Sequence, residues 1–541
     1  MLKMKRRAFV LRAGLAGISI PAILNSCSRP PAPDADPEKQ FHPDDFQLNE
    51  ITVDQLQSMF REGEMTVRQT TQLYLDRIAE IDHAGPTLRS VIQINPDALT
   101  IADAMDAEIK EGKYRGKLHG VPVLVKDNID TADKMMNTAG SLALEGNYPR
   151  QDAFIIKKLR ESGAVLLGKT NLSEWANFRS DQSSSGWSSR GGQTLNPYML
   201  NRNPCGSSSG SGSSVSANLC TVAIGTETNG SIICPASVNG VVGIKPTVGL
   251  WSRSGIIPIS ITQDTAGPMA RTVRDAAILL SALVGKDEND KATQTIDGKF
   301  QNDYTVFLDR NGLTGKRLGV EKSYLKRVPA VDELYRKNLE MLRSAGAELV
   351  EVDFLEQMKG IGKDEFTVLL YEFKDGLNKY LAGAAGGKVK TLEELIAYNK
   401  EHAGVMMPIF TQDILEQSQE TYGVQSKTYK EALKNILKTS QNAINGIMDK
   451  FRLDAIIGPS YGPAWCTDHI NGDYSTGYGF SGPAAMAGYP HITVPMGFVS
   501  GLPIGLSFFG RAFSEASLLT IAYSFEQNSG ARRMPQFEKP A

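Results

Sequence analysis

Cysteine is scarce, five residues in 541 with no CxxC pair, which excludes a disulfide-built scaffold and a thiolate zinc site. The six histidines show no H-E-x-x-H spacing, so a zinc-hydrolase helix is excluded and no metal or organic cofactor is expected. Neither charge sign dominates: 58 Lys+Arg face 60 Asp+Glu for a net charge of −2. The first 26 residues carry five of those bases and no acid, so the rest of the chain is net negative. Nucleic-acid binding driven by bulk charge is thereby excluded. Internal repeats are lacking, and no proline-rich or low-complexity break follows residue 45. What the chain does have is length and 41% hydrophobic residues, enough for a large core.

Lys3, Lys5, Arg6 and Arg7 precede an apolar run at 13–24 that is too short to span a bilayer as a mature helix. Residues 1–26 therefore read as an export signal. Arg6-Arg7-Ala8-Phe9-Val10 resembles the twin-arginine signal, and Leu24-Asn25-Ser26-Cys27 resembles a bacterial lipobox that would place a lipid on Cys27. An ordinary cleaved signal with an incidental cysteine is the alternative. Five prolines then stiffen residues 27–45 into a tether. The expected location is exported, periplasmic or anchored to a membrane through Cys27. Folding before export in a reducing cytosol predicts that Cys205, Cys220, Cys234 and Cys466 need not be paired, and their plain role is that of small buried hydrophobes.

Beyond the tether, residues 46–536 read as one domain. Val67, Thr71, Tyr74, Ile78 and Ile81 fall at helical spacing behind a Thr66/Gln69 capping box. Asn95-Pro96 predicts a second helix start, with Asn95 as cap. Aliphatic runs at 121–125, 164–167, 241–244, 455–457, 491–494 and 504–509 read as buried strands separated by helices such as 153–162 and 331–345. The fold class is α/β, a large mixed sheet covered by helices on both faces. Residues 312–450 are rich in Lys and Glu and carry none of the chemical motifs, which predicts a helical elaboration of the same domain.

Two motifs mislead. Gly163 to Thr170 matches the phosphate-loop pattern G-x-x-x-x-G-K-T, but its four central residues are themselves the aliphatic strand, so no backbone N–H groups are free to cradle phosphate. Gly206-Ser207-Ser208-Ser209-Gly210 matches G-x-S-x-G. The apolar strand that must precede such a nucleophile elbow is missing, since Asn201-Arg202-Asn203-Pro204-Cys205 stands there instead. His402, His469 and His491 would be the available bases.

Three segments carry chemistry together. Gly120-Val121-Pro122-Val123-Leu124-Val125 delivers a single Lys126 at the end of an apolar strand. A serine- and glycine-rich stretch covers 205–216, and Gly225-Thr226-Glu227-Thr228-Asn229-Gly230-Ser231 follows. Taken singly, the first reads as a solvated strand end and the second as a linker. The linker reading weakens because Val215, Ala217, Leu219 and the run 221–224 follow at once and look buried. From the residues alone, a serine nucleophile with a lysine base is the chemistry indicated, with the choice of serine open.

These residues resemble the amidase signature family, whose motif runs through a Gly-Gly-Ser-Ser-Gly-Gly-Ser-like loop and a Gly-Thr-Asp-x-Gly-Gly-Ser-like turn. The resemblance extends over 118–128, 163–174, 204–247 and 488–510. Ser184-Ser185-Gly186-Trp187-Ser188-Ser189, the stretch 203–211 and Gly462-Pro463-Ala464-Trp465 are similar to the bacterial peptide amidases within it. The resemblance implies Ser231 as nucleophile, Ser207 as a bridging serine in a cis peptide, and Lys126 as base. It further implies an oxyanion hole from the N–H groups of Thr228, Asn229, Gly230 and Ser231. A free lysine keeps its proton to about pH 10.4, so Lys126 must be buried to serve.

This sequence departs from the family at Asn229 and Ser209, each in place of Gly, and at Ile233, where many members carry Arg. The last departure, with export, argues against the members that act on aminoacyl transfer RNA. The expected partner is a small-molecule or peptide amide, such as the C-terminal amide of a peptide, with no nucleic acid; oligomeric state is open. Trp187 and Trp465 are candidates for the pocket or for the core. The rival reading is a binding lipoprotein that keeps the fold without catalysis.

Overall fold

A computed structural model describes residues 45–474 and 476–539. The export signal at 1–26, Cys27 and all but the last residue of the 27–45 tether lie outside the described residues. Eleven strands form one mixed sheet. In chain order they are β1 Val91–Ile94, β2 Pro122–Lys126, β3 Val165–Thr170, β4 Val222–Glu227, β5 Val242–Lys245 and β6 Thr265–Ala270. Then come β7 Arg317–Glu321, β8 Glu348–Val352, β9 Ala455–Pro459, β10 His491–Val499 and β11 Leu502–Phe509. Across the sheet the order is β1-β3-β2-β4-β6-β5-β10-β11-β9-β7-β8. The β3-β2-β4 and β9-β7-β8 groups are parallel and the remaining neighbours antiparallel.

Each of the six aliphatic runs lies in a strand. β2, β3, β4, β5, β6, β9 and β11 are buried along their whole length, as a sheet covered on both faces requires. Their apolar side chains pack with those of flanking helices such as Val273–Leu283 and Glu515–Ser529 into one core. The mixed α/β sheet is therefore the fold class read from sequence.

The Thr66 capping box opens the Val67–Arg77 helix, with Gln69 N–H donating to Thr66 Oγ1 at 3.1 Å and Thr66 N–H to Gln69 Oε1 at 2.8 Å. The next helix, Ala98–Lys110, begins later than the Asn95-Pro96 signal suggests, with Asp97 at its cap. Asn95 still makes the cap-type contact, its Oδ1 accepting the Asp97 N–H at 3.0 Å, while its backbone N–H and its Nδ2 donate to the carbonyls of Leu167 and Leu166, both at 2.8 Å.

The 312–450 segment holds the long helices Gly362–Gly383 and, ending just past it, Lys427–Phe451. It also holds β7 and β8, which extend the sheet. β8 reads Glu-Leu-Val-Glu-Val at the sheet edge and is mostly half-exposed, so its charged pattern hid it among helical neighbours.

Candidate active site

β2 and β4 are parallel neighbours, with Val123, Leu124 and Val125 opposite Val222, Ala223 and Ile224. Parallel strands leave the sheet at the same edge, where α/β enzymes bind ligands. Lys126, the last residue of β2, is thus set beside Thr226 although 100 residues separate them. Lys126 is fully buried. Its Nζ lies 2.8 Å from Ser207 Oγ, 2.8 Å from Thr226 Oγ1, and 3.1 Å from both Ser208 Oγ and the Thr226 carbonyl. Burial pushes Lys126 down to about 7, against the weaker upward pull of Asp264 and Glu227.

Ser207 sits just ahead of the Ser209–Ser216 helix, every residue of which is buried. Small residues are required there. A Cβ on Gly210 would meet the Ser90 carbonyl oxygen at 2.2 Å, and one on Gly206 would meet Ser173 Oγ at 2.1 Å. The Gly206–Ser207 peptide is cis. Ser208, the serine of the misleading elbow, is fully committed. It accepts from Lys126 and from the Thr226 N–H (3.2 Å) and donates to the Thr226 carbonyl (3.0 Å). No histidine reaches it, because His402, His469 and His491 contact the Tyr398 carbonyl, Gln193 and Ser507.

Past β4 the chain turns sharply through residues 228–231. The buried Glu227 carboxylate fixes this turn by accepting the N–H groups of Ile232 (2.7 Å) and Ile233 (3.0 Å). Thr228 Oγ1 donates to Asp264, whose carboxyl burial raises to about 6. Asn229 is held on both sides: its Nδ2 donates to Glu365 (2.8 Å) and its Oδ1 accepts from Ser481 (2.7 Å). Gly230 has φ +85° and lies where a Cβ would meet Tyr461 Oη at 2.4 Å, so only glycine fits. Among the described residues, no protein acceptor takes the backbone N–H groups of Thr228, Asn229, Gly230 or Ser231. Four consecutive unpartnered donors at one turn form a nest suited to negative charge.

Ser231 and Gly206 line a common cavity of about 390 Å³, together with Thr228 and Asn229. The Ser231 carbonyl accepts the Ser208 N–H at 3.1 Å, which ties the two serine loops together. Lys126 and Ser207 are in direct contact, whereas no hydrogen bond runs between the Ser207 and Ser231 hydroxyls among the described residues. A second cavity of about 540 Å³, lined by Asn128, Thr226 and Glu227, shares Ala176, Thr228 and Ile259 with the first.

The expectation that Cys205, Cys220, Cys234 and Cys466 need no pairing and serve as small buried hydrophobes is corrected for two of them. Cys205 and Cys234 form a disulfide with their Cα atoms 6.0 Å apart. Tertiary structure brings together the loop before Ser207 and the helix after Ser231, and a separation of 29 residues gave no local sign of it. Cys220 and Cys466 are free. The other sequence candidates divide. Trp465 lines the cavity, while Trp187 is buried against Phe410, outside both cavities. Residues 165–170 of the phosphate-loop match are buried strand, and Lys169 Nζ donates to the Ile129 carbonyl.

Sequence reading missed Thr226 and Ser208 as partners of Lys126, and Glu365, Ser481 and Asp473 altogether. Parallel pairing of the first and third chemical segments would have supplied Thr226. The other three lie in segments with no motif.

Residues 69–519 match the Amidase family, and the chain belongs to that family. It is an amidase, hydrolysing amide C–N bonds. The crystal structure of the peptide amidase of Stenotrophomonas maltophilia superposes with a TM-score of 0.87 at 48% identity, covering 91% of this chain and 100% of that one. A peptide amidase in complex with the competitive inhibitor chymostatin gives 0.87 at 47%, with the same coverage. A probable amidase of Arabidopsis thaliana is 42% identical over 501 residues, 91% of this chain and 92% of that protein.

Proposed function

We propose that this amidase is an exported enzyme that removes the C-terminal amide of peptides or of similar carboxamides, working through Lys126, Ser207 and Ser231. The observation that carries the reading is the buried Lys126 Nζ at 2.8 Å from Ser207 Oγ, with Ser231 lining the adjoining cavity at the head of four unpartnered N–H groups. An amine titrating near 7 is neutral often enough at physiological pH to act as a base. Neutral Lys126 takes the Ser207 proton as Ser207 takes that of Ser231, and Ser231 Oγ bonds to the amide carbon. The carbonyl electrons move onto oxygen, where the N–H groups of residues 228–231 stabilise them. Collapse breaks the C–N bond, and the proton held by the relay goes to the departing nitrogen, which leaves as ammonia. Water then attacks the acyl ester by the same relay and frees the acid and Ser231.

Export is supported by the basic and apolar pattern of residues 1–26 and by the Cys205–Cys234 bond, since disulfides persist in oxidising compartments. The deciding experiment measures ammonia release and acid formation from a panel of amidated peptides by mass spectrometry, with Ser231→Ala alongside. Turnover by the natural sequence, lost in a Ser231→Ala protein of unchanged circular dichroism, is the expected result. Near-normal rates in that variant would move the nucleophile to another side chain.

A further inference from the structure

The cavity beside Ser231 has an unusual electrical character. One carboxylate, Asp473, lines it, and no Lys, Arg or His does among the described residues. Asp473 is half-buried and paired with no cation. Its oxygens face neutral donors: the Ser185 N–H at 3.1 Å, the Ser185 hydroxyl, Trp465 Nε1 at 3.0 Å and Asn203 Nδ2 at 3.3 Å. These donors hold the carboxyl in place and pull it toward the ionised form, but burial outweighs them and raises it above the ordinary carboxylate range, so that a cation seated beside it would restore the charged form. The same cavity is lined by the rings of Phe178, Tyr461, Trp465, Tyr474 and Tyr478. Trp465 and Tyr474 lie 6.4 Å apart between centroids, and Tyr474 is 50% exposed. Aromatic faces combined with an anion form a familiar receptor for ammonium and guanidinium groups, because the ring quadrupole and the carboxylate attract the same charge.

We infer that Asp473 and these rings form a specificity subsite for a positively charged group on the acyl portion of the substrate. The inference rests on the amidase reading and adds a substrate class to it: amides whose acyl side carries an ammonium or guanidinium group. Two sources supply that chemistry, a basic side chain or a free α-ammonium, and both reach the cavity in the same molecule as the scissile carbonyl. Asp473 acts on selectivity here, and the proton relay does not pass through it.

The test compares kcat/KM of the full chain for N-acetyl-lysinamide, free norleucinamide and neutral N-acetyl-norleucinamide. At least one cationic amide is expected to exceed the neutral one by about 10-fold, the size of one charge-assisted contact. Which of the two does so identifies the source of the charge. In Asp473→Asn that ratio is expected to fall toward one. A neutral amide equal to or better than both cationic ones overturns the inference, as does an Asp473→Asn protein that slows all three amides equally, because Asp473 would then be a structural brace. Should Asp473→Asn fail to fold, inhibition of the natural enzyme replaces it. Butylammonium is expected to compete more strongly than butanol, and equal inhibition overturns the subsite. Failure to turn over any of the three amides, with the longer amidated peptides also inert, would sink the amidase reading itself and this inference with it.

Discussion

Lys126 has four oxygens in contact and no carboxylate among them. An ammonium in that position touches only dipoles, and burial outweighs both them and the more distant pull of Asp264 and Glu227. Two other lysines, Lys169 and Lys245, are equally buried, and burial lowers both, Lys245 to about 8. Each meets a backbone carbonyl, at Ile129 and Pro246 respectively, and no serine hydroxyl. Burial alone therefore does not make a base; contact with a hydroxyl that can pass on a proton does. The expected signature is an acid limb in kcat/KM. Activity should fall about tenfold per pH unit below pH 7 as Lys126 gains its proton, and level off above it. Its midpoint should lie near 7. A limb centred near 10 would show that Lys126 titrates as a free lysine and would remove it from the relay. A Lys126→Met protein should lose activity by about 10² to 10⁴ at every pH.

At the scale of elements, the two serines depend on loops that the Cys205–Cys234 bond joins. Closing a loop between residues 29 apart restricts the unfolded chain and is worth about 3.6 kcal/mol. A Cys205→Ser/Cys234→Ser protein should unfold in urea with a stability lower by about that amount. Iodoacetamide applied to the unfolded, unreduced chain should mark Cys220 and Cys466 and spare Cys205 and Cys234. Labelling of all four would remove the bond from the account.

The bond was not legible in the sequence, whereas much around it was. β2, β3, β5, β9 and β11 were readable because strands buried on both faces leave unbroken aliphatic runs, whereas the run at 221–224 was seen only as buried and not as the strand β4. Lys126 stood out because a lone charge ends such a run. Ser207 and Ser231 were singled out by the family resemblance; the residues by themselves left the choice of serine open. Asp473, Glu365 and Ser481 were not readable, since their roles arise from contacts across 136 to 288 residues and no local pattern marks them. β8 was hidden by its edge position, where half its residues need not be apolar.

For the whole molecule, the residues assigned to catalysis lie between positions 126 and 231 of the sequence, outside the signal-like pattern at 1–26 and Cys27. Anchoring and catalysis should therefore separate cleanly. A Cys27→Ser chain is expected to keep its kcat/KM for amidated peptides while moving from the membrane to the soluble fraction of the exporting cell. Retention in the membrane fraction would refute lipid attachment at that cysteine. Among the described residues no helix is long and apolar enough to cross a membrane.

Among the groups that shuttle protons, Lys126 is rooted in a paired strand, where a slip of one residue would turn it to the opposite face. By contrast, much of the cavity wall, including Asp473 and four of its rings, hangs from a chain reversal between β9 and the Gly482–Ala487 helix, with Phe178, Ile259 and Leu369 added from other segments. Palate and machinery are thus separately mounted in this protein. Grafting a different reversal onto the same strands would give an enzyme with new tastes and an unaltered way of cutting.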